Sequence, residues 1–448
     1  MAQSFALDLQ EQDRNFQLHP FTNHADLHAA GTHIVLEGHG CYFVDEAGRR
    51  ILDGLAGLWC VNLGYSSKAV VRAVTQQLER LPYYPSFFNS TTEPPIRVAK
   101  FLAQKAPERV NRTIFSNSGS EANETALKVI RAYWKLKGRR SKKKILSRTF
   151  SYHGVTLATT SMTGLPNCQQ PFDLPLADFL HVPGPYAYGA KTGLSPEAYG
   201  EWCIEETRRI IAAERAETIA ALFVEPIQGA GGVITPPAGY LASLRQLCRE
   251  NEILFVADEV ITAFGRVGDW FASNLWSLDP DLISLAKGLT SGYLPLGATM
   301  LCDEVAEAML SEGYFSHGFT YSGHPTCGAA ALANLHEIEK LGLIPRVKDD
   351  VGPYFQMKLQ EIESHPAVAE VRGFGLIAAM ELIPREGRDA LTPASMLGLK
   401  AWSLIREEGA MVRGIRDLIA LAPPLIITRA EIDELFDCIR RGLDRLWD

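Results

Sequence analysis

Two kinds of hydrophobic pattern alternate along this chain of 448 residues: short unbroken apolar runs, and longer stretches with helical period. Runs such as Ile253-Leu-Phe-Val-Ala257 and Leu282-Ile-Ser-Leu-Ala286 carry no polar face, as strands do when buried on both sides of a parallel sheet. The spacing predicts helices over Ile96–Gln104, Glu121–Leu136, 200–214 and 238–250. Between them it predicts strands over Thr113–Phe115, Lys144–Ser147, Ala221–Val224, 253–257 and 282–286. That alternation implies an α/β fold with a doubly wound sheet covered by helices on both faces. Upstream, Ile34 to Leu52 alternates around an Asp45-Glu-Ala-Gly48 turn and reads as a hairpin, whereas residues 1–35 read as polar and irregular. The stretch 161–198, rich in Pro, Gly and Tyr, is too long for an ordinary connection and suits a surface or subunit-contact role. After residue 340 the pattern becomes a smaller α/β unit that ends in the amphipathic helix Arg429–Trp447. The length exceeds a single hydrophobic core. The expected division is an N-terminal segment, 1–75, that joins the small domain, a large domain over 76–335, and a small C-terminal domain over 336–448.

Composition narrows the class. Fifty-two acidic against 44 basic residues leave a formal charge of −8, which does not suit a nucleic-acid or membrane-surface protein. The one basic cluster, Arg139 to Lys144, reads as a solvated turn. Eight cysteines are scattered without metal-ligand spacing, several inside apolar runs, so no metal site is expected and a reducing compartment is. The first residues lack the basic and apolar regions of a signal peptide, and no apolar window is long enough to span a bilayer. A cytoplasmic location follows as the expectation.

The chemistry begins where apolar runs end. One run ends at Asp258-Glu259 and another opens into Lys287-Gly288, and parallel strands place ligand sites at such ends. An amine and a carboxylate delivered to one crevice suit pyridoxal phosphate: the amine can bond the aldehyde, and the carboxylate can hold the pyridine nitrogen protonated. Phe115-Ser-Asn-Ser-Gly-Ser-Glu-Ala-Asn123 follows a strand and opens a helix. Hydroxyls and free N–H groups at a helix start form a phosphate cup, and Gly119 permits close approach. Tyr152, in Phe150-Ser-Tyr-His-Gly154, offers a ring for stacking; His153 reads equally as a packed histidine or as a group near the pyridine nitrogen. Val260 can press on the ring face. Glu225, at the start of Glu225-Pro-Ile-Gln-Gly-Ala-Gly-Gly-Val233, reads equally as structural or in contact with the ligand, and Ala230 among the glycines is a candidate for the pocket wall. No Walker, GxGxxG or GxSxG sequence supports a nucleotide or serine-hydrolase reading.

In this order the motifs resemble class III aminotransferases of fold type I, and within them the amine:pyruvate (omega) transaminases. The resemblance runs from Gly54-Leu-Ala-Gly-Leu-Trp59 to Ala422-Pro-Pro-Leu425 and includes Gly318-Phe-Thr-Tyr-Ser-Gly-His-Pro325. It implies a large mixed-sheet cofactor domain with a smaller α/β domain, and pyridoxal 5'-phosphate as cofactor. Lys287 then resembles the Schiff-base lysine and proton shuttle, and Asp258 the partner of the pyridine nitrogen. Tyr152 and Val260 would sandwich the ring, Ser118, Gly119 and Ser120 would hold the phosphate, and Thr320 would reach the phosphate of a neighbouring protomer. The resemblance thus implies a homodimer with shared sites and leaves dimer against tetramer open. Phe21, Leu58, Trp59, Phe87 and Phe88 match aromatic and apolar walls. Arg413 matches a mobile arginine for a substrate carboxylate, with Arg416 as competitor. The implied reaction transfers an amino group from a primary amine to a keto acid such as pyruvate. The competing readings are an aminomutase or an ornithine/4-aminobutyrate-type enzyme, and, further off, a non-catalytic cofactor-binding protein.

Overall fold

The computed structural model describes residues 2–392 and 395–447. Its centre is a seven-stranded sheet in the order Val110–Ser116, Gly297–Cys302, Leu282–Leu285, Leu254–Asp258, Ile219–Val224, Lys144–Arg148, Phe179–Val182. The last five pair in parallel, while Gly297–Cys302 runs antiparallel to both its neighbours. The strands over 219–224, 254–258, 282–285 and 297–302 are buried at every position, which is why none of them alternates polar with apolar residues. Helices Gly119–Leu136, Pro196–Glu214 and Tyr240–Glu250 lie close to the predicted spans.

Two smaller sheets flank this centre. Val368–Phe374, Ile377–Leu382, Leu418–Leu421 and Arg413–Ile415 form one antiparallel sheet. In the other, Val35–His39, Tyr42–Asp45 and Arg50–Asp53 are joined by Ala410–Met411, parallel to the third strand. A C-terminal strand therefore completes an N-terminal sheet.

The structure corrects four expectations. Residues 1–35 are not irregular, because helices Ala2–Phe16 and His24–Ala30 occupy most of them. None of the residues 8–16 is buried, and polar residues dominate that half of the helix, so it reads as irregular. The predicted hairpin is a three-stranded meander: Gly40-Cys41 makes a second turn besides the one where Asp45 Oδ1 accepts from the N–H groups of Ala47 and Arg49. The stretch 161–198 holds the edge strand Phe179–Val182 and short helices at Pro166–Gln169 and Ala187–Ala190. Finally, the strand Gly297–Cys302 was not predicted. The last helix ends at Asp444 and is set at its start by Thr428 and Glu431, each side chain bonded to the other's backbone N–H.

Candidate active site

Adjacent parallel strands bring three ionisable side chains to one edge of the large sheet. Register pairs Val224 with Ala257 and Asp258 with Ser284, so Glu225, Asp258 and Lys287 leave their strands side by side. Lys287 has φ of +42°, a left-handed conformation that few residues with a Cβ adopt and that is typical of functional sites. Burial lowers the pKa of its amine, and the Asp258 and Glu225 carboxylates and the Cys60 thiol oppose that shift only in part. The amine sits 5.9 Å from the centroid of the Trp59 ring.

Asp258 is buried and held by three donors. Its Oδ2 accepts from Asn123 Nδ2 and lies 2.8 Å from His153 Nδ1, while Oδ1 accepts from the Val260 N–H at 3.2 Å. Asn123 Nδ2 also donates to the His153 carbonyl at 2.8 Å, tying histidine and aspartate into one unit. Asn123 escaped the sequence reading. It sits one turn after Gly119 at the head of the buried stripe Asn123, Ala126, Leu127, Ile130, Trp134, and a polar residue in such a stripe was the available signal.

Glu225 braces two loops. Its Oε1 accepts from the Tyr152 N–H at 2.8 Å and its Oε2 from the Gly229 N–H at 3.0 Å. Burial raises its pKa, and the His153 charge lowers it in part. The Tyr152 phenol is pushed up to about 12, chiefly by burial, and so remains a donor. The cradle is the start of helix Gly119–Leu136. Ser118 Oγ accepts from the Glu121 N–H at 3.2 Å and Ser120 Oγ from the Val155 N–H at 3.1 Å, leaving both hydroxyl protons to donate. A Cβ on Gly119 would come within 3.1 Å of Val260, so glycine lets this positive helix end approach the strand end.

The pocket-wall candidates divide. Trp59 is buried in a cluster with Ile227, Val233, Ala420 and Ile415, and Gly229 lies against its ring, followed by the partly exposed Ala230. Leu58 and Phe21 are 61% and 71% exposed. Phe87 packs on Gly318 and edge-on against Phe88, and the Tyr83 hydroxyl donates to the Thr320 carbonyl at 2.7 Å. Segments 83–88 and 318–324 thus form one exposed unit. Among the described residues no hydrogen bond joins Thr320 to Ser118–Ser120 of its own chain. Arg413 is exposed and has neither an ion pair nor a side-chain hydrogen bond among the described residues, whereas Arg416 donates to the Gly231 carbonyl at 3.1 Å and lies over Phe150.

An amine of lowered pKa, a buried carboxylate held by Asn123, His153 and the Val260 N–H, and an anion cradle against the same strand end suit the aldehyde, ring nitrogen and phosphate of pyridoxal phosphate. The fold and site thus define a pyridoxal-phosphate enzyme of fold type I. The family described as aminotransferase class-III matches residues 25–443. The putrescine–pyruvate aminotransferase of Pseudomonas aeruginosa is 41% identical over 437 residues, covering 97% of this chain and 96% of that protein. Gamma aminobutyrate transaminase 1, mitochondrial, of Solanum lycopersicum is 39% identical, over 92% and 81% respectively. Among solved structures, an (S)-enantioselective omega-transaminase from Thermomicrobium roseum superposes with a TM-score of 0.95 at 39% identity, covering 99% of both chains. The omega transaminase of Pseudomonas jessenii in complex with PMP gives 0.94 at 39% identity, covering 98% of both. The chain belongs to the class III aminotransferases and uses pyridoxal 5'-phosphate.

Proposed function

We propose that this aminotransferase moves an amino group from a primary amine, diamine or omega-amino acid to a keto acid such as pyruvate. The observation that carries the reading is the placement of Arg413. It shares a strand face with Ile415, which packs in the Trp59 cluster, and it has no carboxylate partner among the described residues. An unpaired cation beside an apolar wall suits alternate binding of a keto-acid carboxylate and an apolar amine. The putrescine–pyruvate relative supports the same reading. The plant gamma-aminobutyrate relatives favour a second one, in which 4-aminobutyrate is the donor. A panel of putrescine, an arylalkyl amine, ornithine and 4-aminobutyrate, each with pyruvate and with 2-oxoglutarate, separates them. Fastest turnover of 4-aminobutyrate would install the second reading, rearrangement without a keto acid an aminomutase, and no turnover a binding protein.

Bound pyridoxal phosphate supplies an aldehyde that captures the amine and a protonated ring that takes up the electrons of a broken C–H bond. Lys287, whose amine burial shifts toward the neutral form, takes the proton from the substrate carbon and returns it one step later. Asp258, held by Asn123 and His153, faces the ring nitrogen. Tyr152 and Val260 flank the ring, and Ser118, Gly119 and Ser120 hold the phosphate. Thr320 serves the phosphate of the neighbouring protomer in a homodimer. Phe16, Phe88 and Tyr321 leave apolar surface exposed for such an interface. Sedimentation distinguishes a dimer from a tetramer. The proposed domains are 1–75 with 336–448, joined through the Arg50–Asp53 and Ala410–Met411 strands, and 76–335. Eight free cysteines support a reducing, cytoplasmic setting. No helix among the described residues is long and apolar enough to cross a membrane.

A further inference from the structure

Away from the strand ends, a buried ionic cluster touches the wall of the pocket. Arg372, on strand Val368–Phe374, pairs through Nη2 with Glu381 at 2.6 Å and through Nη1 with Glu370 at 3.1 Å. Its Nε donates to the Gly232 carbonyl at 2.9 Å and its Nη2 to the same oxygen at 2.5 Å. The guanidinium carbon lies 4.9 Å from the centroid of the Tyr186 ring, whose hydroxyl donates to Glu381. That ring also meets Phe150 edge-on at 5.2 Å. Arg372, Glu381 and Tyr186 are all nearly inaccessible.

A buried ion pair is poor evidence of stabilisation, because apolar residues of equal volume often serve the core as well. What distinguishes this one is where its donors point. Gly232 belongs to the loop that carries Ala230. The loop's far end is held by the Glu225 carboxylate through the Gly229 N–H, and its near end by Arg372 on Gly232 and Arg416 on Gly231. Between these anchors there is little slack. A Cβ on Gly229 would fall 2.5 Å from Trp59 Cζ3, and one on Gly231 would fall 2.0 Å from the Phe150 carbonyl oxygen. The loop therefore lies directly against the tryptophan on one side and the segment leading to Tyr152 on the other.

We infer that Arg372 is a positioning residue that sets the width of the amine pocket, with Glu381 and Tyr186 fixing its direction. By holding Gly232 it keeps Ala230 and Gly229 pressed against Trp59. Releasing the carbonyl lets the loop relax away from the ring and admits larger amines. The inference rests on reading Trp59 and Ala230 as pocket walls.

The test uses the holoenzyme with pyruvate fixed and compares a small linear amine with a bulky arylalkyl amine. Arg372→Met is combined with Glu381→Gln, so that the buried Glu381 carboxylate is not left without its cation; the Glu370 side chain, 36% exposed, keeps access to water. The preference in kcat/KM for the bulky over the small amine is expected to rise about tenfold, carried by KM, since a change of one or two methylenes in an apolar pocket is worth about ten- to two-hundredfold. Tyr186→Phe, which deletes one hydrogen bond and keeps the ring, is expected to move the preference the same way by less, and it decides the matter if the double variant does not fold. Equal changes for both amines, or a fall in melting temperature with the preference unchanged, overturns the inference. Trp59→Ala is the control. If it leaves the preference unchanged, the wall reading fails and the inference with it; if it shifts the preference while the Arg372 and Tyr186 variants do not, only the inference fails.

Discussion

The crevice has two unlike halves. At the strand ends, Asp258, His153, Asn123 and Glu225 are buried and bonded to one another or to backbone N–H groups, all within one chain. The residues proposed for the rim, Phe21, Leu58, Phe88, Thr320 and Arg413, are exposed, and among the described residues none of them is hydrogen-bonded to that cluster. Chemistry that depends on a fixed charge at a fixed distance is built where strands from one sheet converge, because packing there allows one arrangement. The residues proposed to select among substrates fall mostly on exposed segments instead.

If that division holds, damage at the strand ends stops the chemistry and damage at the rim redistributes substrates. Lys287→Ala is the largest expected effect. Turnover should vanish, and borohydride reduction should no longer leave the cofactor on the peptide containing position 287. Normal activity in that variant would remove Lys287 from its role. Asp258→Asn keeps the shape and loses the charge, so turnover should slow about 10²–10³-fold, an effect of ~3–4 kcal/mol on the transition state, while the melting curve stays cooperative. Unchanged turnover would mean that another group faces the ring nitrogen.

At the rim, Arg413→Ala should raise the KM for pyruvate about ten- to hundredfold, or ~1.5–3 kcal/mol for a charge-assisted pair, with little change for a neutral aryl amine. Equal losses for both substrates would shift attention to the same comparison at Arg416. A smaller effect comes from mixing Lys287→Ala protomers with Thr320→Ala protomers. If Thr320 serves its neighbour, each mixed dimer holds one doubly damaged site and one intact site, and cofactor affinity at the intact site matches the wild type. An affinity that tracks a protomer's own Thr320 contradicts the shared arrangement. The smallest effect is on pH. In the cofactor-free protein, acylation of Lys287 should rise at lower pH than that of surface lysines, because the neutral amine forms as pH climbs through a lowered pKa. Asp258→Asn should move this rise lower still, since the carboxylate opposes the shift; a rise at ordinary lysine pH would refute the burial argument.

The strand-end half was largely legible before folding. An apolar run closed by Asp258, another closed by Lys287, and hydroxyls flanking Gly119 at a helix start are local patterns with local physical causes. Asn123 was legible in principle, as a polar residue inside an apolar stripe. Arg372 and Glu381 were not, because a charged residue in a strand is normally read as facing solvent, and only the packing of Tyr186 and the loop at 229–233 against the small sheet gives them buried partners. The strand Gly297–Cys302 lacks alternation, carries Thr299 among small and apolar residues, and gains its identity from antiparallel pairing with Leu282–Leu285 on one side and the distant Val110–Ser116 on the other.

The sequence by itself determined the alternation of strands and helices through the large domain, the candidate amine, carboxylate and anion cradle, and the family to which the chain belongs. These follow from short-range patterns of burial and helix capping, which a few neighbouring residues specify. The tertiary structure decided which donors hold Asp258, which carbonyls Arg372 and Arg416 hold, and how an N-terminal sheet takes its fourth strand from residues 410–411. Those depend on contacts between residues separated by tens to hundreds of positions, whose geometry is set by how whole elements pack rather than by any local run of residues.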